Sequence, residues 1–357
     1  MNQPIAPFTC THSPNLPELL FDLNCTLAIS TYQAGKVVFI SSKDRKNLVQ
    51  LPRSFKNPMG IAFKDNNLAI ATQNEVITLA NHPAMAHTYP KKPGTYDGIF
   101  IPRAVYYTGD VDIHDLEWVN NELWAVNTRF SCIARISDQY SFESIWKPYF
   151  ITSLAPEDRC HLNGMATEGG RLKFVSALGN TDQAEGWRTH RTTEGIIIDT
   201  ENQEIIAKDL AMPHSPRVYE NKLWVLLSAT GELVEIDKNN GRVTTLKKLD
   251  GFVRGMCKYG DYLFIGLSKI RKESSAFGDL PIAKKAVACG IAVIYVPQMS
   301  VVGHLKYETS VEEIYDVKIL PHFKRPGLLS HEGPEHRMAL VTPDGTYWAK
   351  NNSTSHG

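Results

Sequence analysis

Three histidines are the side chains of this sequence best suited to chemistry, because two of them open a short apolar segment and the third lies two residues before such an opening. They are His114, His161 and His214. Three neutral imidazoles that leave a coordination position open for water or substrate are typical of catalytic metal sites. We therefore predict a divalent transition metal bound by these histidines, and ligand type leaves zinc, iron and copper equally open. The alternative is that the three rings fill a wet channel and bind ordered water and backbone.

Charged and amide side chains near the apolar segments complete a candidate active site. Arg254 would hold an anionic substrate or stabilise developing negative charge. Glu157 or Asp158 would transfer a proton, or orient a histidine through its second ring nitrogen. Asn163 would position the substrate. Hydrolysis, lyase chemistry and oxygen chemistry all remain open, so the reaction type is not predicted.

Two positions close to this set have a structural explanation beside the chemical one. Trp187 and Arg188 lie in a loop over residues 179–194, which would either overhang a channel mouth and contact substrate or be capped by the tryptophan. Cys160 precedes His161, but neighbours on a strand point to opposite faces. We therefore expect the thiol to pack into the sheet.

An internal repeat indicates which elements position these side chains. Five segments share an opening, a short apolar piece, a polar turn of four residues, and a leucine that begins a second apolar strand. The openings are Met59, His114, Asn163, His214 and Arg254. They lie about 40 to 55 residues apart, which is the period of four-stranded propeller blades.

The repeat predicts an all-β fold, a six-bladed β-propeller with four-stranded blades. A sixth unit at residues 26–42 lacks its first strand, which the C-terminal or the extreme N-terminal segment would supply to close the ring. The predicted blades of one domain, residues 1–357, are 20–57, 58–113, 114–160, 161–211, 212–252 and 253–320, followed by a tail at 321–357. Two insertions, 81–106 and 268–288, interrupt the repeats.

Strand alternation then predicts what the channel contains. The first strand of each blade lines the centre of a propeller, and side chains two residues apart share a face. The position two residues before each opening is occupied by Asn57, Asp112, His161, Met212 and Phe252. All three histidines should therefore point into one channel, together with Asn163 and Arg254. A slip of one residue in this alignment would turn a histidine away.

Composition narrows the function classes. The 357 residues include 38 Lys and Arg against 38 Asp and Glu, so no basic excess points to nucleic acid. We expect no signal peptide and no membrane span, because neither a basic and apolar leader nor a long apolar run is present. The six cysteines are scattered without a CxxC pair, which favours free thiols in a reducing cytosol.

Several long strings carry a resemblance to a known family. They are STYQAGK (30–36), PMGIA (58–62), NTRFSC (127–132), APEDRCHLNGMA (155–166), MPHSPR (212–217), GFVRGM (251–256) and GLSKIR (266–271). The chain resembles, from about residue 20 to 320, a bacterial family of conserved proteins catalogued as a domain of unknown function of the 4915 type, sometimes joined to tetratricopeptide repeats. The resemblance implies that these motifs form one shared site, which would include Arg159 and Arg217 as substrate-binding residues.

Two hypotheses follow. The first is a cytoplasmic, metal-dependent enzyme that acts on a small polar or peptide substrate in the channel. A looser similarity of fold and ligand type to six-bladed lyases that hold a metal with channel histidines supports it only by analogy. The second is a non-catalytic propeller that binds a peptide or protein partner with its rim and insertions. The sequence leaves the oligomeric state open.

Overall fold

Six sheets surround a central axis in the computed structural model, which describes residues 5–270 and 277–349. All their strand pairs are antiparallel except that of Gly327–Leu328 with Ile99–Tyr107. The fold is a six-bladed β-propeller, as the repeat predicts. Residues 271–276 of the second predicted insertion and 350–357 of the tail lie outside the described residues, as do residues 1–4.

The blades are numbered here in chain order, and the strands of each run from the channel outwards. The strands of the first three blades are Asp316–Pro321, Cys25–Thr31, Lys36–Asp44 and Asn47–Ser54 in blade one; Ile61–Lys64, Asn67–Ala71, Glu75–Asn81, Ile99–Tyr107 and Gly327–Leu328 in blade two; and Ile113–Val119, Glu122–Asn127, Cys132–Arg135 and Glu143–Trp146 in blade three. The strands of the last three are Leu162–Glu168, Arg171–Ala177, Gly195–Asp199 and Glu204–Leu210 in blade four; Pro213–Tyr219, Lys222–Leu227, Glu232–Ile236 and Val243–Lys248 in blade five; and Phe252–Tyr259, Tyr262–Ser268, Cys289–Tyr295, Ser300–Tyr307 and Cys10–His12 in blade six.

Turn chemistry explains why the inner hairpins form where they do. In four blades the two central residues of the turn after the innermost strand both have positive φ, and they are Asp65–Asn66, Asn120–Asn121, Gly169–Gly170 and Glu220–Asn221. Two-residue turns of this kind match the twist of the flanking strands and favour Asn, Asp and Gly. The polar turns of the sequence repeat are therefore the hairpin turns of the blades.

A C-terminal strand closes the ring. Asp316–Pro321 pairs with Cys25–Thr31 and supplies the missing inner strand of blade one, so the C-terminal alternative of the prediction is confirmed. The N-terminal strand Cys10–His12 instead adds a fifth, outermost strand to blade six by pairing with Ser300–Tyr307. Closure leaves few unpaired strand edges.

Helices are few and short. The α-helices are Leu16–Asp22 and Pro83–His87, and the 3-10 helices are Gly186–His190, Val296–Gln298 and Pro334–Met338. A separate hairpin of Ala339–Thr342 and Gly345–Trp348 follows the last blade strand. Within the described ranges no helix is long and apolar enough to span a membrane.

The first predicted insertion was drawn too long. Its last eight residues, 99–106, belong to Ile99–Tyr107, which is the fourth strand of blade two and pairs with Glu75–Asn81. This strand was not predicted because it contains Pro102, and proline usually argues against a paired strand. In the structure the ladder slips by one residue between Thr78 and Leu79, opposite Pro102. All six cysteines are free, as predicted, and Cys160 is fully buried just before the strand Leu162–Glu168 rather than within it.

Candidate functional site

The three predicted histidines and Arg254 line one cavity of about 710 Å³, where the innermost strands of the blades begin. This end of the channel is called the mouth here. Its lining also includes side chains from blade one and from blades three to six. They are Tyr32, Gln33, Asp112, Asp158, Leu178, Trp187, Arg188, Met212, Phe252, Ser268, Lys269, Ile270, Phe277, Glu312, Glu313 and Tyr315.

His114 and His214 are held by the same device in two blades. Nδ1 of His114 lies 3.2 Å from the carbonyl oxygen of Asp112 and 2.9 Å from Oγ1 of Thr128. Nδ1 of His214 lies 3.0 Å from the carbonyl oxygen of Met212 and 2.8 Å from Oγ of Ser228. Each hydroxyl donates its own hydrogen to a carbonyl of the next blade, Leu162 or Val253.

These hydrogen bonds of Nδ1 fix the tautomer of both rings. All the partners of Nδ1 act as acceptors, so Nδ1 carries the hydrogen and Nε2 carries the lone pair. None of the residues the structure describes hydrogen-bonds to either Nε2. Burial and the nearby charge of Arg254 lower the pKa of His114 and His214 well below its usual value. Both rings are therefore neutral at physiological pH.

His161 reaches the mouth by an irregular backbone. It precedes its strand, Leu162–Glu168, and has φ of +50°, so strand alternation is not the reason that it faces the channel. The equivalent residues Asn57, Asp112 and Met212 also have positive φ. A non-glycine residue in this region is costly, and its repetition in four blades shows that the ring imposes it.

A carboxylate and an indole hold the His161 ring. Asp158 accepts a hydrogen bond from Nδ1 at 2.9 Å, and its Oδ2 also accepts the Nε1–H of Trp187 at 3.0 Å. The Trp187 ring lies 4.1 Å from the His161 ring between centroids. Trp187 sits in the helix Gly186–His190, so it both caps its loop and lines the mouth.

Arg254 is buried with incomplete pairing. Its guanidinium carbon lies 3.3 Å from the centre of the Tyr315 ring. Nη1 lies 3.9 Å from Oε1 of Glu313, which is too long for a hydrogen bond. Burial raises the pKa of the Glu313 carboxyl, although Arg254 opposes the shift. The charge of Arg254 is thus aimed at the mouth without a close carboxylate.

The other predicted site residues lie elsewhere or only at the edge. Arg159 pairs with Glu157 at 2.8 Å and with Asp182 at 2.7 Å, and neither Arg159 nor Glu157 lines the mouth. Arg188 stands on the rim, over the Trp187 ring.

Asn163 and Arg217 lie away from the mouth lining. The Oδ1 atom of Asn163 accepts the Ser176 hydroxyl, and its Nδ2 is buried without a partner among the described groups. Arg217 pairs with Asp115 further along the inner strands, and it lines a second cavity of about 270 Å³ near their far ends.

Several lining residues were not predicted from the pattern of repeats, among them Glu313, Tyr315 and Tyr32. Glu313 and Tyr315 precede the inner strand of blade one, which no repeat frame marked because it is separated from the rest of its blade by the whole chain. Tyr32 is part of the STYQAGK string, so the family resemblance was the one signal for it.

The positions of the mouth histidines bear on whether they could hold a metal ion. Among the described residues no group of three or more His, Cys, Asp or Glu side chains is placed to hold a metal ion. The His114 and His161 rings stand edge to face with centroids 4.8 Å apart. The tethers of Nδ1 suit metal ligation, since metal-bound imidazoles usually donate their other nitrogen to a carbonyl or carboxylate. The three-ligand arrangement itself is not assembled.

Comparisons with known proteins agree with the fold. The family model described as a domain of unknown function (DUF4915) matches residues 14–329. No curated protein sequence matches the chain. The chain is similar in structure to a chain of a nidogen/laminin complex (12% identity, 84% of this chain and 99% of that chain, TM-score 0.53). It is also similar to a protein of unknown function from Bacteroides caccae (12% identity, 83% and 98%, TM-score 0.52). At this identity the likeness concerns fold alone.

Proposed function

Since the chain belongs to the DUF4915 family of unknown function, its activity has to be inferred from the mouth, and we propose that the mouth is an enzyme active site. Its substrate is a small polar or peptide molecule that carries an anionic group. His161 acts as the base that removes a proton, Asp158 positions it, and Arg254 holds the anionic group or stabilises the charge that develops.

The hydrogen-bonded pair of Asp158 and His161 carries the proposal. A carboxylate that accepts Nδ1–H leaves Nε2 with its lone pair, and it stabilises the imidazolium that forms when Nε2 takes a proton. The Trp187 indole donates to the same carboxylate at 3.0 Å and lies against the imidazole ring. Together these contacts limit the rotation of both side chains, as general-base geometry requires.

The charges around Arg254 support an anionic ligand. Of the carboxylates in the lining, Glu312 lies 3.7 Å from the Lys269 ammonium, and Asp158 is engaged by His161. Asp112, the fourth carboxylate of the lining, lies 3.6 Å from Nδ1 of His114. Glu313 is the only described carboxylate in ion-pair contact with Arg254, at 3.9 Å, and burial raises its pKa. A ligand carboxylate could form the charge-assisted hydrogen bonds that Arg254 lacks. The neutral Nε2 atoms of His114 and His214 would accept hydrogen bonds from hydroxyl or amide groups of the same ligand.

A divalent transition metal in the mouth is a second candidate. The observation that favours it is the shared tether of Nδ1, which leaves an Nε2 lone pair on His114 and on His214. A bound metal would act as a Lewis acid on the substrate. Metal content after purification without an affinity tag, compared between the wild type and the His114→Asn, His214→Asn double variant, tests it. Stoichiometric metal that the double variant loses supports this candidate, and equal content in both proteins removes it.

Proton exchange tests the acid–base proposal. A panel of small carboxylates and their amides would first be screened for a rise in melting temperature, and the best carboxylate would then be incubated in D₂O. The wild type should exchange a carbon-bound proton, detected by NMR. His161→Asn keeps a donor for Asp158 but has no base, so it should bind the carboxylate without exchange.

The matched controls separate the roles. Arg254→Gln should lose the preference for carboxylates over amides, whereas Arg159→Gln, whose charge pairs outside the mouth, should behave as the wild type. Binding without exchange or turnover in the wild type would favour the non-catalytic binding module. Exchange that persists in His161→Asn would refute the role of His161.

A further inference from the structure

The mouth has two walls of different chemistry. One wall is polar and comes from blades one, three and six, and it includes Tyr32, Asp112, Arg254 and Glu313. The other is apolar and comes from blades four, five and six. It is formed by Leu178, Trp187, Met212, Phe252, Ile270 and Phe277.

The apolar wall continues a buried cluster. Five of its six residues, all but Phe277, belong to one cluster with Leu280 and Ile282, which lie in the predicted insertion 268–288. The described residues Ile270, Phe277, Leu280 and Ile282 of the insertion therefore extend the apolar side of the mouth. Phe277 is 37% exposed and its ring lies 5.7 Å from that of Phe252. A cavity lined partly by aromatic rings, with a few fixed polar groups, is the usual form of a small-molecule site.

The candidate catalytic groups lie where the walls meet. His161 contacts Trp187 of the apolar wall at 4.1 Å and His114 on the other side at 4.8 Å, measured between ring centroids. His214 lies 5.9 Å from Phe252. A ligand with its carboxylate at Arg254 would place its apolar part against Phe252, two residues away on the same strand, and against Phe277.

We propose that the substrate class of this site is a carboxylate that bears one apolar side chain of aromatic size, as in an acylated amino acid or the last residue of a peptide. This assignment rests on the function proposed above. The polar wall binds the carboxylate and any hydroxyl or amide groups, and the apolar wall contacts the side chain. A larger apolar group adds affinity in proportion to the area it buries.

Three matched probes test the two walls separately by calorimetric titration. N-acetyl-phenylalanine carries both features, N-acetyl-phenylalaninamide lacks the charge, and N-acetylglycine lacks the ring. The wild type should bind N-acetyl-phenylalanine at least about tenfold more tightly than either partner, since burial of an aromatic side chain and a buried charge-assisted hydrogen bond are each worth that much.

Variants assign each preference to its wall. Phe277→Ala should reduce the preference for phenylalanine over glycine while keeping the preference for carboxylate over amide. Phe252→Leu, which preserves most of the packed volume, should do the same more weakly. Arg254→Gln should show the reverse pattern. Tyr347→Ala, which removes an exposed aromatic ring on the distant C-terminal hairpin, should change neither preference.

The outcomes distinguish this inference from the proposed function. Equal binding of N-acetylglycine and N-acetyl-phenylalanine, with carboxylate still preferred over amide, would overturn the substrate class but not the anion site. Equal binding of carboxylate and amide in the wild type would overturn the anion site itself. A tripeptide ending in phenylalanine separates the sources: tighter binding than N-acetyl-phenylalanine assigns a peptide terminus, and weaker binding assigns the free acylated amino acid.

Discussion

The mouth and the floor of the channel treat charge in opposite ways, although neighbouring residues of the same segments form both. The floor consists of Asp115, Arg217, Asp316 and Lys318, whose charges lie further along the inner strands. His114 lines the mouth and the next residue, Asp115, lies in the floor. Asp115 accepts from Nη1 and Nη2 of Arg217 at 2.8 and 3.0 Å and from the backbone of Met165 at 3.1 Å. The floor thus satisfies its charges internally, as buried ions require, whereas the mouth keeps Arg254 without a close carboxylate.

The floor also ties separate blades together. Asp115 of blade three bonds to the inner strands of blades four and five, and Asp316 of blade one accepts the backbone N–H of Ile61 in blade two. Burial alone would raise the pKa of Asp115, but Arg217 and Lys318 bring it below its usual value. The floor charges therefore pair with one another across blades, whereas the charge of Arg254 is left for the ligand proposed above.

Breaking the floor should have the largest effect. Asp115→Ala leaves Arg217 buried without its carboxylate, so we expect a loss of about 3 to 5 kcal/mol in the free energy of unfolding. Urea unfolding at neutral pH measures it. The control in the mouth is His161→Asn, which should cost far less. Equal losses for the two variants would remove the distinction between floor and mouth.

Lowering the pH should reduce the free energy of unfolding, because His114 and His214 of the mouth stay neutral in the folded protein. The unfolded imidazole takes up protons below about pH 6.5, but folded His114 and His214 stay neutral because their pKa is depressed. Their stabilising contribution is full above that pH and is lost as pH falls towards the folded pKa, by up to about 1.4 kcal/mol per pH unit for each ring. Unfolding free energies of the wild type and the His114→Asn, His214→Asn variant, measured at several pH values, should differ in this slope. The exposed His87→Asn is the control, and a slope unaltered in the double variant would count against neutral rings.

Removing a tethering hydroxyl should have a smaller effect on stability and a specific effect on the histidine. Ser228→Ala loses the hydrogen bond to the Val253 carbonyl and an acceptor for Nδ1 of His214. We therefore expect the free energy of unfolding to fall by about 1 to 2 kcal/mol. Ser30→Ala is a matched control, since Ser30 donates to Met59 of the next blade but holds no histidine. Nitrogen NMR of His214 should change in the first variant alone. A tautomer unchanged by Ser228→Ala would show that the Met212 carbonyl suffices.

Arg254→Gln should change stability least, by about 1 kcal/mol, because the guanidinium has no close ion pair and loses mainly its contact with the Tyr315 ring. Its charge lowers the pKa of both His114 and His214, so its removal should raise both values. NMR titration of the ring protons measures this, with Arg159→Gln as a variant that should leave them in place. Unchanged histidine titration would mean that burial alone keeps the rings neutral.

The sequence by itself determined the repeating unit of this protein. Turn residues such as Asn66 and Asn121 specify the hairpins, and the leucines that follow specify the second strands, because both signals act over a few residues. Six-bladed architecture and closure by a terminal strand follow from counting these units. The convergence of His114, His161 and His214 was also predicted, although for His161 the cause is a left-handed backbone rather than alternation.

Only the tertiary structure decided which charges meet and what surrounds them. Closure of the ring places Glu313 and Tyr315 beside Arg254. Arg217 pairs with Asp115 in the floor instead of lining the mouth. Local pattern cannot encode these contacts, because each inner strand contributes only one or two side chains to the centre. Their burial and charge, and so the neutral state of the rings, exist only once all six blades are in place.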